Sequence, residues 1–152
     1  MELVKRTAME LAAIATAAVP GLTPVGFAAL SDDAEDFDSA LVVDALKHRW
    51  RVRSPRHDEA SMRLEAELSA LRAFSAKVRA SLPFSLPAVA GTVRQGPLRT
   101  FVYKDMPGHV PSLDELVDVG SNLAKSLGNC MAAIHQIRSE ERRVGKECRS
   151  RW

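Results

Sequence analysis

Arg53 and Glu67 are the two residues of this sequence whose types and placement promise chemistry. Arg53 closes the run Trp50-Arg51-Val52-Arg53, which alternation writes as a strand with Val52 on one face and Arg53 on the other. Further along, Glu67 falls beside a helical apolar stripe of Leu64, Leu68, Leu71, Val78 and Leu82. At 100° per residue, Glu67 lies about 60° from the start of that stripe, whereas Glu65 lies about 100° off it. A carboxylate at the edge of a buried face costs on the order of several kcal/mol unless it is partnered. Arg53 is the natural partner, and its planar fork suits bidentate contact with carboxylate or phosphate. Two alternatives stay open: Glu67 reaches solvent, or it pairs with Arg63 of its own helix.

The elements that must position this pair are legible in the chain. Residues 37–55, FDSALVVDALKHRWRVRSP, read as a β-hairpin. Ser39, Leu41 and Val43 alternate with Ala40, Val42 and Asp44, Leu46-Lys47-His48 makes a polar turn, and Pro55 halts the second strand. Asp58 is the expected N-cap of a helix running to Ser81. Upstream, residues 1–19 have helical spacing ended by Pro20-Gly21, and residues 24–30 read as a short strand. The acidic segment SDDAEDFD, residues 31–38, is either a solvated turn or a flap over a ligand with Phe37 as its apolar tip. It holds no glycine, so a glycine-rich phosphate cradle is not available there.

Downstream, Pro83 and Pro87 bound a loop, residues 88–93 and 98–103 form two strands around a turn at 94–97, and residues 104–108 end strand character. Ser112 and Glu115 are spaced as a capping box, Gly120 divides the region, and Leu123, Leu127, Cys130, Met131 and Ile134 make a second helical stripe. His135 has no acid or cysteine near it in sequence and reads as a surface or packing residue. The order is helix, three strands, helix, two strands, helix. It predicts an α+β fold: a five-stranded antiparallel sheet with a helix laid on it.

The bulk numbers narrow the function classes. The 152 residues suffice for one domain with a modest core, and 46% hydrophobic with 26% charged residues is a globular composition. The formal charge of +2 comes from residues 138–152, which carry six Lys/Arg against three Glu; the rest has 15 basic and 16 acidic residues. No basic patch argues for nucleic acid. Two cysteines, Cys130 and Cys148, suggest neither a disulfide framework nor a metal site, and point to a reducing, cytoplasmic setting. The N-terminal run resembles a signal peptide, but Glu10 interrupts it, and no stretch is long enough to span a bilayer, so no membrane partner is expected.

Taken together, FDSALVVDALKHRWRVRSPR, RLEAELSALRAF, VYKDMPGH and LAKSLGNCMAAIHQI resemble the small lobe of the aminoglycoside/macrolide phosphotransferase family, which shares the protein-kinase-like fold. The strand ending WRVRSPR looks most like the macrolide 2′-phosphotransferases and their unassigned actinobacterial-type relatives. The resemblance covers nearly all of residues 1–137. It implies that Arg53 stands where most kinases carry the lysine that holds the α- and β-phosphates. Glu67 is then the helix acid that pairs with it, and Ser39 the loop position near the phosphates. It also implies that the backbone at Lys104 and Met106 reads the purine. The implied cofactor is ATP or GTP with Mg²⁺, and the implied acceptor is a hydroxyl of an antibiotic or similar small molecule.

In that family a His-x-Asp segment, a following Asn and a later metal-binding Asp perform the transfer. None of these follows Ile137, so no catalytic residue and no metal ligand is assigned. The expected division is a nucleotide-binding lobe at 1–108, the start of a helical lobe at 109–137, and a tail at 138–152. The tail, RSEERRVGKECRSRW, resembles a translated sequencing adapter and is set aside from the fold. Read so, the chain is an inactive fragment of a phosphotransferase. The competing reading is a non-catalytic α+β module that binds a partner through its sheet or last helix.

Overall fold

Thr7 and Glu10 start the first element. The Glu10 carboxylate accepts from the Thr7 amide at 2.7 Å, and the Thr7 hydroxyl accepts from the Glu10 amide. This capping box opens α1, Ala8–Ala18. The first four residues of the expected helix lie outside the described residues, which in this computed structural model are 5–31, 36–120 and 122–149. The remaining elements are β1 (Pro24–Leu30), β2 (Phe37–Asp44), β3 (Arg49–Pro55), α2 (Asp58–Ala73), α3 (Ala76–Ser81), β4 (Val89–Gln95), β5 (Leu98–Lys104), α4 (Leu113–Val117) and α5 (Leu123–Arg149). The chain divides into two units. One comprises Met1–Ala73 with Pro87–Pro107, the other Phe74–Leu86 with Gly108–Trp152.

The first unit carries the antiparallel sheet, in the order β1-β2-β3-β5-β4. The expected α+β architecture is therefore observed. Cross-strand register sorts the side chains into two sets. Val52 lies between Ala40 and Val102 on one face, and Arg53 between Ser39 and Phe101 on the other. Helix α1 covers the first face, where Leu11, Ile14 and Ala15 join Ala40, Val42, Val52 and Val102 in a closed core. Helix α2 covers part of the second, where Ala60, Leu64 and Leu68 meet Phe37, Phe101 and Tyr103. At edge strand β4 the end of α1 comes so close that a Cβ on Gly91 would lie 2.1 Å from the Ala18 carbonyl oxygen. Only glycine fits there.

Two acids on the α1 face of β2 close its ends. Asp38 accepts from the Arg6 amide at 2.7 Å and from the Arg56 guanidinium at 2.6 and 2.9 Å. Asp44 accepts from the amides of Leu46 and His48 and from the Trp50 indole, each at 2.9 Å. These bonds fold the turn between β2 and β3, in which Lys47 takes φ 66°.

The structure corrects three details of the sequence reading. Phe37 is no exposed tip: it begins β2 and is buried under α2. The residue that caps α2 is His57, not Asp58; its carbonyl accepts from Ser61 at 3.1 Å and its Nδ1 from the Ala60 amide at 3.2 Å. With Nδ1 accepting, Nε2 carries the proton and donates to Asp36 at 3.0 Å. Lastly, α2 stops at Ala73 and does not reach Ser81. Ser75 turns extended and its hydroxyl takes the Val78 amide, starting α3 anew, so Val78 and Leu82 do not continue the α2 stripe.

In the second unit, Ser112 and Glu115 form the expected capping box on α4. The Ser112 amide, then His109 at 3.0 Å, hold the Glu115 carboxyl down to about 2. Helix α5 runs on to Arg149, through most of the segment set aside from the sequence. Leu123, Leu127 and Met131 are exposed along it, as is His135.

Candidate functional site

Where α2 leaves the second sheet face uncovered, a cleft of about 290 Å³ remains. Its floor comes from the three central strands: Ser39 of β2, Arg51 and Arg53 of β3, and Tyr103 of β5. Glu67 stands on its α2 side, and Pro87 with residues 104–106 forms its rim. All five residues singled out from the sequence, Ser39, Arg53, Glu67, Lys104 and Met106, line this one cleft.

Glu67 pairs with Arg53, Oε2 lying 3.0 Å from Nη1. The competing partner Arg63 is turned instead to Asp36, at 2.9 Å. The Arg53 guanidinium also lies 4.1 Å above the centre of the Phe37 ring. Arg53 is thus held by an edge contact and a face contact from different elements. Its side chain is 22% exposed and that of Glu67 42%, so the pair faces solvent on the cleft side. Ser39 sits directly opposite Arg53 in the β2–β3 register. It belongs to a strand and is buried, whereas the family resemblance placed it in a loop.

At the rim, Asp105 is the organising acid. Its side chain, 4% exposed, lies 3.0 Å from Arg49 Nε and 3.6 Å from Arg51 Nε, and its amide donates to the Arg49 carbonyl at 2.9 Å. The Lys104 amide donates to the Ala88 carbonyl at 3.2 Å. Met106 is exposed, and among the described residues its amide makes no hydrogen bond. Tyr103, opposite Arg51 in the β3–β5 register, is 6% exposed and its ring stacks on Phe101. Its hydroxyl is buried and makes no well-formed hydrogen bond among the described residues; Glu67 is its neighbouring acceptor, outside strict hydrogen-bond geometry. Burial, then the neighbouring Glu67 carboxylate, push this phenol well above the ordinary tyrosine range, with Arg53 working against them.

Arg51, Tyr103 and Asp105 escaped the sequence reading. Arg51 was recoverable, since two residues along a strand share a face. Asp105 was not, because its role depends on the β3–β5 register, set between segments far apart in the chain.

Chemically, the cleft offers a held guanidinium at one end, a second arginine along the same strand face, and an open backbone amide at the rim. Such a set can take an anionic group and a planar hydrogen-bonding edge together. Among the described residues, no three His, Cys, Asp or Glu side chains gather closely enough to hold a metal ion. Among them, too, no helix is long and apolar enough to cross a membrane.

No family model and no curated protein matches this sequence. Among solved structures, a macrolide 2'-phosphotransferase type I is similar at 23% identity and a TM-score of 0.44. The likeness covers 74% of this chain and 37% of that one, so the chain spans well under half the length of that protein.

Proposed function

We propose that the cleft binds a purine nucleotide, ATP or GTP, and that the sheet unit is the nucleotide side of a small-molecule O-phosphotransferase. The observation that carries this reading is the Arg53–Glu67 pair at 3.0 Å, set in a cleft whose other end is the exposed backbone at residue 106. In this reading the Arg53 fork takes phosphate oxygens while Glu67 and Phe37 hold its orientation. The Lys104 carbonyl and the Met106 amide take the edge of the base, and Ser39 lies beneath the phosphates. Mg²⁺, when bound with the nucleotide, neutralises phosphate charge. No residue of the chain is assigned to it, and none is assigned to orient the acceptor hydroxyl. Transfer of the γ-phosphate to an antibiotic or similar hydroxyl is accordingly proposed for a whole enzyme, and the chain alone is expected to be inactive.

Calorimetric titration of the full chain with ATP and with GTP tests the reading. Saturable binding is expected, weakened roughly tenfold or more by Arg53→Ala, the loss of a hydrogen bond to a charged group. Absence of binding by both nucleotides, or an Arg53→Ala chain that binds as well as the parent, would overturn it. The exposed positions Leu123, Leu127 and Met131, one helical face of α5, favour a second reading as a partner-binding module. A chain that melts cooperatively, stays monomeric and binds neither nucleotide would move the assignment there.

A further inference from the structure

We infer that Arg51 is the platform for the base of the bound nucleotide: its guanidinium plane, held by Asp105, takes the flat face of the purine while the rim takes its edge. This rests on the nucleotide reading of the cleft, and it gives a task to the second arginine of the floor.

The placement follows from strand register. Arg51 and Arg53 share the face of β3 that lines the cleft, about 7 Å apart along the strand. Strand β5 runs antiparallel to β3, with Tyr103 opposite Arg51 and Phe101 opposite Arg53. The chain leaving Tyr103 therefore travels away from Arg53, and the Asp105 amide reaches the Arg49 carbonyl at 2.9 Å. Arg51 thus lies between the fork at Arg53 and the rim at residues 104–106. A nucleotide with its phosphates at the first and its base edge at the second lays its ring across Arg51.

The other floor residues offer such a ring less. Ser39 and Tyr103 are buried, and the Tyr103 ring is stacked on Phe101. The Arg51 side chain is 44% exposed, against 22% for Arg53. Its Nε lies 3.6 Å from one oxygen of the buried Asp105 carboxylate, whose other oxygen lies 3.0 Å from Arg49 Nε. A contact at the edge of a guanidinium orients its plane, and stacking uses the faces. The same carboxylate speaks against a phosphate at Arg51, since a second anion there meets its negative charge and a neutral ring does not. Cation–π stacking on a guanidinium reads no base edge. Arg51 accordingly selects for the presence of a purine and not for which purine it is.

The experiment titrates the full chain calorimetrically with ATP, GTP and tripolyphosphate, which has no base, at about 0.15 M salt to screen distant charge. It compares the parent with Arg51→Ala and Arg51→Lys. Arg51→Ala should bind both nucleotides roughly fivefold more weakly, the worth of a cation–π contact at a partly exposed site. Its affinity for tripolyphosphate should change by less than about twofold, because the screened charge it loses touches no phosphate. Arg51→Lys keeps the charge and removes the plane, so it should bind tripolyphosphate like the parent and recover little of the nucleotide affinity. Its melting temperature should stay close to that of the parent, since the cation beside Asp105 is retained.

An Arg51→Ala chain that binds ATP like the parent overturns the inference. Equal weakening of ATP and tripolyphosphate also overturns it, because Arg51 is then an anion contact. So does full recovery of nucleotide affinity in Arg51→Lys, which would assign the effect to charge. A loss confined to one of the two nucleotides would place Arg51 at the base edge and overturn it as well. If the parent binds neither nucleotide, the nucleotide reading itself fails, an outcome distinct from all of these, and the inference falls with it.

Discussion

The two faces of the sheet are built by the same alternation and finished differently. On the α1 face Ala40, Val42, Val52 and Val102 make an aliphatic core under the helix, the buried Ser54 and Thr100 hydroxyls bond each other at 2.9 Å, and Asp38 and Asp44 at the ends are met by several donors. On the α2 face the alternating positions of β3 are arginines, and the helix covers Phe37, Phe101 and part of Tyr103 while leaving the rest open. One face spends its residues on being full. The other keeps charge beside an open strip, and it buries the Tyr103 hydroxyl without a well-formed hydrogen bond. A scaffold closed on one side is what allows the other to hold arginines in fixed places.

The sharpest way to break this contrast is to put a charge on the closed side. Val52→Asp places a carboxylate where the side chain is fully buried, among Ala40, Val42 and Val102. It should cost on the order of several kcal/mol, comparable with the whole stability of a small domain, and abolish a cooperative thermal transition. Retention of a sharp melt would show the face to be looser than its packing implies. Gly91→Ala should come next, at about 1–3 kcal/mol by denaturant titration, because the Ala18 carbonyl that a methyl would meet is backbone and cannot turn aside.

The open side should answer more softly. Glu67→Ala is expected to cost about 1 kcal/mol, since Arg53 loses its edge partner but is partly solvated and keeps Phe37. Glu65→Ala should cost less than about 0.5 kcal/mol, because Glu65 makes only a loose pair with Arg99 at 3.7 Å. Equal losses would remove any special standing for Glu67. The gentlest probe is acid. Burial resists ionisation of Asp44, yet the Trp50 indole and the His48 and Leu46 amides outweigh it and hold its pKa below the ordinary 3.8. A depressed folded-state pKa contributes stability above the ordinary value, and that contribution fades as pH falls through the lower one. Asp44→Asn should therefore flatten part of the acid limb of a stability-against-pH curve. An unchanged limb would assign the acid sensitivity to other groups, among them Asp36 and Glu10, whose pKa values are also lowered.

Much of the sheet was legible because period-two alternation and turn residues are local signals. The hairpin of β2 and β3, the pair around Gly96-Pro97 and the Ser112 cap needed no knowledge of the rest of the chain. The Arg53–Glu67 contact was legible for a different reason: a helix carried an acid at the edge of its apolar stripe, and a strand face carried cations opposite Val52. What failed was decided elsewhere. The apolar period of α2 continues in the sequence through Val78 and Leu82, but the Ser75 hydroxyl takes the Val78 amide and starts a new helix. Phe37, read beside acidic residues, looked like the tip of a flap, and only the presence of α2 above β2 explains why it is buried. Tyr103 and Asp105 acquire meaning from β5 lying against β3, a pairing that no local pattern announces.

Asp44 has a further consequence, in the order of events during folding. Three backbone and indole donors from Leu46, His48 and Trp50 converge on one carboxylate across a turn at residues 45–48. Closing so short a loop is fast and costs little chain entropy, whereas β5 must return to β3 from beyond α2 and α3. The β2–β3 hairpin is thus the expected nucleus. High φ-values at Val42 and Trp50 with low ones at Phe101 would bear this out, and the reverse pattern would exclude it. On that schedule Arg53 is already in place on its strand when β5 brings Tyr103 alongside, so the floor of the cleft is assembled from one finished half and one late arrival.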